Sequence, residues 1–333
     1  MVVVEDVVGE AIDRLGERLT VRIEPGAWQD PDLLATLLPS ARAIVVRNRT
    51  QVTRSLLEAG PALEVVARAG AGLDNVDVLA ADELGIVVLA ATGANAVSVA
   101  EHAVAMALAL ARDLLGHDRR VRLGQWERSP GVELAGKVWG IVGLGATGRA
   151  TAALAAGIGM EPVGYDPYVR SPVRAGPEER RITVATVTDL DLLLEAATVV
   201  SLHLPLTAAT QGLVGASFLG KMRPGSYLVN VARGGLVVEE ELAAALDSGR
   251  LAGAALDVRA QEPPRLGILD QHERVVLTPH TAGLTGAAQE RVVGMIVDDI
   301  VRVLGGGNAE HAVGAHLAPA GTPGRRAPLA EGR

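Results

Sequence analysis

The chain has 333 residues, a formal net charge of −8 and a hydrophobic content of 49%, so it is long and apolar enough for two domains with buried cores. The acidic balance argues against the concentrated basic face that nucleic-acid binding needs, and we expect no nucleic-acid partner. Because the sequence contains no cysteine, disulfides, thiolate metal sites and cysteine nucleophiles are excluded.

Short runs of β-branched residues recur in the first part of the chain and predict buried strands over 41–48, 63–70 and 85–91. The stretch 97–115 is rich in Ala and Leu, lacks Gly and Pro, and predicts a long helix. Ser98 is the expected N-cap of this helix, with Glu101 completing a capping box. Polar residues interrupt its apolar run, which is too short to cross a bilayer, so we expect a cytoplasmic protein without a membrane partner.

A second series of runs predicts strands over 137–143, 161–167, 198–205, 225–232, 251–258 and 274–280. Helical segments alternate with these strands, a pattern typical of parallel sheets joined by right-handed crossovers. The sequence therefore predicts an α/β fold with two such sheets. The tail, 316–333, is rich in Pro, Gly and Arg, and we expect it to be disordered.

A glycine-rich turn follows the first strand of the second series. Gly143, Gly145 and Gly148 form G-x-G-x-x-G, which alone is weak evidence in a chain with 39 glycines. The context strengthens it, because the turn joins an apolar strand to an Ala-rich helix and Asp166 ends the next strand. The helix N-terminus would face a pyrophosphate, and Asp166 would bind ribose hydroxyls and repel a 2′-phosphate. This pattern favours NAD over NADP.

Three later strand ends carry polar residues. Arg233 follows the strand ending at Val231, Glu262 lies shortly after Asp257 at the end of another strand, and His280 follows the last strand. Ligands bind at the carboxyl edge of open α/β sheets. An arginine, a carboxylate and an imidazole at this edge suit proton transfer beside a bound carboxylate.

Seven segments carry a family resemblance: RAGAGLDNVD, GIVGLGATGR, YDP, LHLPLTAATQGLVG, MRPGSYLVNVARGGLVVEEEL, ALDVRAQEPP and TPHTAGLT. Over residues 40–300 the chain resembles the D-isomer-specific 2-hydroxyacid dehydrogenases, most nearly the phosphoglycerate dehydrogenase-like branch. The resemblance implies two Rossmann-like, doubly wound parallel-sheet domains. The smaller, flavodoxin-like substrate-binding domain is discontinuous (1–93 and 286–315), and the NAD-binding domain (94–285) includes a dimerisation helix.

The resemblance also implies catalytic roles for Arg233, Glu262 and His280. Arg233 would hold the substrate carboxylate and polarise the C2 oxygen. His280 would exchange the hydroxyl proton while hydride passes between C2 and the nicotinamide. Glu262 would fix the tautomer of His280 and stabilise its cation.

Further contacts are implied at positions that match the family's motifs. The loop of Gly70, Ala71 and Gly72 resembles the one whose amides meet the substrate carboxylate. His203 is expected to pack under the cofactor and His102 to be structural, and the remaining histidines lack metal-site spacing, so no metal is expected. The implied NAD contacts are Ala71, Gly143, Gly145, Ala146, Thr147, Gly148, Asp166, His203, Pro205, Val231, Ala232, Asp257 and Gly283.

Two observations on the substrate point in different directions. Arg47 and Arg68 resemble arginines of phosphoglycerate-oxidising members, and Arg49 adds a cation on the same face if the strand continues that far. Together they favour a substrate with a second anionic group, such as phosphate, sulfonate or phosphonate. The segment TPHTAGLT instead resembles the glyoxylate/hydroxypyruvate reductase branch.

Other interpretations stay open. Transcriptional co-repressors resemble this family and bind NAD without catalysis, although the acidic, aromatic-poor composition disfavours that class here. A formate- or phosphite-oxidising relative would use the same three residues. The helix from Val97 and the segment around Trp126 and Arg128 resemble the family's dimerisation region, so we expect a homodimer.

Overall fold

The computed structural model describes residues 1–7, 9–16, 19–177 and 181–314. The predicted disorder of 316–333 lies outside these residues. The strands, in chain order, are β1 (Val2–Val3), β2 (Arg22–Ile23), β3 (Ala43–Val46), β4 (Val65–Arg68), β5 (Val87–Ala90), β6 (Val138–Val142), β7 (Glu161–Tyr165), β8 (Val173–Ala175), β9 (Ile182–Val187), β10 (Val199–Leu202), β11 (Ser226–Asn230), β12 (Leu251–Leu256), β13 (Val275–Leu277) and β14 (Ala312–Val313). The α-helices are α1 (Glu10–Leu15), α2 (Pro31–Leu37), α3 (Arg54–Glu58), α4 (Val78–Glu83), α5 (Ala96–Ala111), α6 (Leu114–Arg122), α7 (Ala146–Gly157), α8 (Leu190–Ala196), α9 (Ala216–Lys221), α10 (Glu239–Asp247) and α11 (Gly286–Leu304).

The described residues divide into two units, one formed by residues up to Ala94 together with those from Gln289 to 314, the other by residues from Asn95 to Ala288. In the first unit the strand order is β14-β5-β4-β3-β1-β2, and every pairing except β14 with β5 is parallel. Successive residues of β3 point into two different cores, Ile44 into one and Val45 into the other. A sheet covered on both faces explains why this strand is a continuous apolar run.

The second unit holds a sheet ordered β13-β12-β11-β10-β6-β7-β9-β8, in which only β8 and β9 pair antiparallel. The order changes direction at β6, so the loop after β6 lies at the switch point where such sheets bind ligands. Trp139 on β6 is fully buried and donates to the Ser201 hydroxyl on β10 at 2.8 Å. The predicted α/β class with two parallel-dominated sheets is confirmed.

Some predicted local features are wrong. The predicted helix 97–115 is two helices, because Asp113 adopts a left-handed conformation (φ 45°) between α5 and α6. The capping box is also wrong: the N-cap is Asn95, and the hydroxyl of Ser98 lies inside the helix, 2.8 Å from that of Thr285. Strands β1, β2, β8, β9 and β14 were not predicted.

Within the described residues, no helix is long and apolar enough to span a membrane. The same part of the chain contains no cluster of His, Asp or Glu side chains arranged to hold a metal ion.

Candidate active site

The loop after β6 has the shape that a bound pyrophosphate requires. Gly143 has a φ of +100°, and a Cβ there would lie 2.6 Å from the carbonyl oxygen of His203. A Cβ on Gly148 would lie 1.9 Å from the Gly143 oxygen, so α7 can approach the loop only with glycine there. Gly145 differs, because nothing lies within 4 Å of the position of its Cβ. The open space lies where the second glycine of such a motif lets phosphate oxygens approach the backbone.

The surroundings of this loop also suit a dinucleotide. Gly145 is the N-cap of α7, and the first helical residues, Ala146 and Thr147, bring the positive end of the helix dipole to the open space. Asp166, one residue past β7, accepts from the amides of Leu144 and Tyr168, both at 2.9 Å. These bonds fix the carboxylate and leave it acceptor capacity for ribose hydroxyls. The residues present therefore fit NAD.

His203, which follows β10, is buried, with its Nε2 2.9 Å from the Ser201 hydroxyl. Burial lowers the pKa of His203 to about 3, so the ring is neutral at physiological pH. Ser201 also accepts a hydrogen bond from the indole nitrogen of Trp139 at 2.8 Å, so its hydroxyl links the two buried rings. A neutral, buried ring of this kind suits packing beneath the glycine-rich loop better than proton exchange.

Glu262 and His280 are in direct contact. The Nδ1 of His280 lies 2.7 Å from Oε2 of Glu262, and the two side chains are 43% and 36% exposed. Burial raises the pKa of Glu262, but hydrogen bonds from His280 and from the amide of Arg259 outweigh it and hold that pKa below its ordinary value. With Nδ1 committed to Glu262, the Nε2 atom of His280 is the one available to exchange a proton.

Asp257 holds the backbone that presents His280. Its buried carboxylate accepts from the Thr278 hydroxyl at 2.5 Å and from the amides of Thr281 and Ala282 at 2.9 and 2.8 Å. Its carbonyl accepts from the His280 amide at 2.7 Å. His280 has a φ of 55°, which costs a non-glycine residue about 1 kcal/mol or more unless its surroundings impose it. Asp257 supplies that constraint.

The Asp257 carboxylate is itself held in its charged form. Burial raises its pKa, but the nearby His102 ring and hydrogen bonds from Thr278 and the two amides outweigh burial and keep the pKa below its ordinary value. The Nε2 of His102, on α5, lies 3.5 Å from Asp257 and 3.0 Å from the Thr278 hydroxyl. His102 therefore packs behind the segment that carries His280.

Arg233 begins the turn after β11 and is partly buried. Asn230 braces this turn, donating to the carbonyl of Arg233 at 2.9 Å and accepting from the amide of Ala232 at 3.0 Å. The Nη1 of Arg233 donates to the carbonyl of Ala232 at 2.7 Å. A Cβ on the next residue, Gly234, would lie 1.9 Å from the carbonyl carbon of Arg259. The turn of Arg233 and the loop that leads to Glu262 are therefore in backbone contact.

Other predicted cofactor residues lie on the same unit. Val231 and Ala232 are buried at the end of β11, Pro205 is partly exposed beyond β10, and a Cβ on Gly283 would lie 2.6 Å from the Asn95 side chain. These placements put them after strands β10, β11 and β13, on the edge that also carries His280.

In the first unit, β3 ends at Val46, so the strand does not continue to Arg47 and Arg49 and the condition for a shared strand face is not met. Arg47 is half-buried, and its guanidinium donates to the carbonyl of Asp6 at 3.4 Å. The Arg49 guanidinium lies 5.1 Å from the ring centroid of Trp28. Burial lowers the pKa of Arg47, and nearby Arg49 lowers it further although acidic neighbours oppose this.

Arg68 ends β4 next to β3, and Val46 pairs with it. Its guanidinium folds over Gly70, where a Cβ would lie 1.6 Å from Nη1, so glycine makes room for this arrangement. The following Ala71 and Gly72 are partly exposed. The structure therefore places the predicted arginines and this loop at the carboxyl ends of neighbouring strands of the first unit.

Sequence reasoning missed Glu5, which organises the Arg47 loop. The buried Glu5 carboxylate accepts from the amides of residues 47–50 at 2.8–3.2 Å and from the Thr50 hydroxyl at 2.8 Å. The available signal was an acid directly after the apolar run at 2–4, a position at the end of a strand. It also missed Arg259, whose neighbours are described below.

The sequence matches a known protein family and several curated relatives. Residues 104–282 match the family model of the D-isomer specific 2-hydroxyacid dehydrogenase, NAD binding domain. The D-3-phosphoglycerate dehydrogenase of Archaeoglobus fulgidus is 40% identical over 317 residues, which cover 94% of this chain and 59% of that protein. The chain spans less than two thirds of the length of the curated relatives it matches first.

Two solved structures extend the comparison. The TT0316 protein from Thermus thermophilus is 32% identical with a TM-score of 0.84, covering 94% of this chain and 99% of that one. The D-lactate dehydrogenase from Aquifex aeolicus, complexed with NAD and lactic acid, is 27% identical with a TM-score of 0.78, covering 92% and 96%. The predicted resemblance and the predicted cofactor, NAD, are confirmed by the family match.

Proposed function

The chain belongs to the D-isomer specific 2-hydroxyacid dehydrogenase family, and from this premise we propose that it interconverts a D-2-hydroxy acid and its 2-oxo acid with NAD. The observation that carries the proposal is the 2.7 Å contact between His280 and Glu262 at the carboxyl edge of the second sheet. A histidine whose second nitrogen is bound by a carboxylate is the usual arrangement of a general acid/base.

In the oxidative direction, the Nε2 of His280 accepts the proton of the substrate hydroxyl. Glu262 holds the proton on Nδ1 and stabilises the imidazolium that forms. When bound, NAD⁺ accepts the hydride that leaves C2, so the alcohol loses a proton to His280 and two electrons with the hydride. In the reverse direction His280 returns its proton to the oxygen of the 2-oxo acid.

Arg233 would hold the substrate carboxylate. Its planar fork can bind both oxygens and leave an edge toward the C2 oxygen. Two features support this role: the turn is braced by Asn230, and its next residue packs against the loop that leads to Glu262. We further propose that Gly143, Gly145, Gly148 and Asp166 bind the pyrophosphate and the adenosine ribose.

For the substrate class, we propose an acid with a second anionic group. Arg47, Arg49 and Arg68 supply three cations at adjacent strand ends of the first unit, and Glu5 fixes the loop that carries two of them. Bidentate bonds from arginine suit phosphate, sulfonate or phosphonate. The names of the curated relatives, which are D-3-phosphoglycerate dehydrogenases, support the same class.

The test measures turnover of a panel of compounds. Hydroxy acids, formate and phosphite are assayed with NAD⁺, and glyoxylate and the 2-oxo forms of the hydroxy acids are assayed with NADH. The panel contains 3-phosphoglycerate, sulfolactate, phosphonolactate, glycerate, lactate, glyoxylate, formate and phosphite. We expect the highest kcat/KM with an acid that carries a second anion, and loss of turnover in His280→Ala. Preference for glyoxylate or hydroxypyruvate would favour a glyoxylate/hydroxypyruvate reductase. Oxidation of formate or phosphite would favour a formate- or phosphite-oxidising relative.

A binding protein of the co-repressor kind would give a different result. It would bind NADH with a measurable Kd while turning over none of the acids, and His280→Ala would leave that Kd unchanged. We also propose a homodimer, since α5 and the segment beyond α6 expose apolar side chains, including Val97, Leu108 and Trp126.

A further inference from the structure

Arg259 is a nearly buried cation in the loop between β12 and Glu262. Its side chain is 8% exposed. It binds both oxygens of Glu239, the first residue of α10, with Nε–Oε1 at 2.9 Å and Nη2–Oε2 at 2.7 Å. Its Nη1 also donates to Oδ1 of Asp270 at 2.9 Å. One guanidinium therefore ties its loop to two other segments of the unit.

The backbone of Arg259 reaches the candidate site. Its amide donates to Oε1 of Glu262 at 3.1 Å, while Oε2 of the same carboxylate meets His280 at 2.7 Å. Its carbonyl group packs against Gly234, next to Arg233. The side chain of Arg259 is thus fixed in the protein interior while its peptide groups touch Glu262, which holds His280, and the turn of Arg233.

We propose that Arg259 is a positioning residue: its side-chain bonds to Glu239 and Asp270 hold its own amide where it orients the Glu262 carboxylate toward His280. The kinetic part of this inference rests on the proposed function, in which His280 exchanges the substrate proton. The structural part, the hold on the Glu262–His280 contact, does not.

Arginine suits this place for a chemical reason. Two carboxylates, 22% and 12% exposed, converge on it, and a neutral side chain would leave them facing each other without a cation. Hydrogen bonds from Arg259 hold the pKa of both carboxyls below their ordinary values. A lysine keeps the charge but lacks the planar fork that bonds to both partners at once.

The test compares Arg259→Lys with a triple variant, Arg259→Met, Glu239→Gln and Asp270→Asn, that removes the cation and both partner charges together. The triple variant avoids leaving unpaired carboxylates, so we expect it to release the loop while the chain stays folded, which circular dichroism checks. The matched control is Lys221→Gln, which breaks the Lys221–Asp191 ion pair elsewhere in the same unit.

The first readout is kinetic. We expect kcat to fall roughly 10- to 30-fold in the triple variant, no more than in Glu262→Gln, and less in Arg259→Lys, with the Kd for NADH unchanged. In a Glu262→Gln background the further loss should be under about threefold, because both changes act through one contact. Losses that multiply in full would overturn the inference, as would a triple variant with wild-type kcat.

The second readout needs no turnover. The second measurement is NMR on protein with ¹⁵N-labelled histidine. A proton on Nδ1 that is hydrogen-bonded to a carboxylate gives a downfield signal. The signal that disappears in Glu262→Gln is assigned to His280. We expect the signal to be lost or broadened in the triple variant and retained in the control. A chain that turns over no acid but behaves in this way would refute the proposed function and leave the positioning role standing, whereas a signal unchanged in the triple variant would overturn that role.

Discussion

Replacing Glu262 by Gln tests the central feature of the candidate site. The substitution keeps the shape of the side chain but removes the charge that faces His280 at 2.7 Å. At this distance two unit charges interact by about 1.5 kcal/mol in water and by about 6 kcal/mol at the effective dielectric constant of 20 typical near protein surfaces.

Solvent screening decides between these limits. Because the two side chains are 43% and 36% exposed, the lower part of the range applies, about 2 kcal/mol. In the oxidative direction His280 gains its charge by accepting the substrate proton, so this energy stabilises the transition state more than the bound substrate. We therefore expect kcat to fall about 30-fold with little change in KM.

The assay follows NADH absorbance with the best acid of the panel, and NADH binding measured by fluorescence serves as the control. A kcat within about threefold of the wild-type value would refute the reasoning. So would a change confined to KM, because that would mean that Glu262 binds the substrate equally in the ground state and the transition state.

Three further predictions concern other parts of the chain. Glu5→Gln should lower the free energy of unfolding in urea by about 3 kcal/mol at neutral pH, since buried amides lose a charged acceptor. Burial raises the pKa of Glu5, but its hydrogen bonds outweigh burial and hold the pKa below the ordinary value of 4.5. The stabilisation that Glu5 gives to the fold is therefore complete above pH 4.5 and is lost as pH falls through the lower pKa of the folded state. If the unfolding free energy of Glu5→Gln fell with pH in the same way as that of the wild type, this explanation would be contradicted. Asp166→Ala should raise the Kd for NADH about 10-fold and reduce the preference for NADH over NADPH. An unchanged ratio of the Kd for NADPH to the Kd for NADH would argue against the contact of Asp166 with the ribose. Leu108→Arg should shift the sedimentation coefficient from dimer to monomer, and a wild-type chain that already sediments as a monomer would disprove the proposed interface.

The sequence predicts the central strands well, because strands in parallel sheets covered on both faces are continuous apolar runs that stand out from the helices between them. β1, with two residues, and β14, which pairs antiparallel, give no such signal. The start of α5 was misplaced because Ser98 and Glu101 have the right spacing for a capping box, yet the helix begins at Ala96. Local patterns of this kind are common inside helices as well as at their ends.

For the candidate site, the sequence predicts that Glu262 and His280 meet, but it does not predict the residues that support them. Glu262 and His280, 18 residues apart, are in contact as the strand-end argument requires. Glu5 contacts amides 42–45 residues away, and Arg259 bonds to Glu239, 20 residues before it. Such pairings depend on which loops meet after folding, and no short-range spacing encodes them.

These supports share one physical feature. The loops at the carboxyl edges of both sheets have irregular backbone, so their amides lack partners in strands or helices. Asp257, Glu5 and Arg259 each use a charged side chain, nearly buried, to fix such a loop through several bonds at once. A buried charge without its partners is costly, so any displacement of the loop is opposed more strongly than a neutral contact would oppose it. The arrangement explains how His280 keeps a left-handed conformation and how exposed residues at a sheet edge keep the fixed geometry that proton transfer requires.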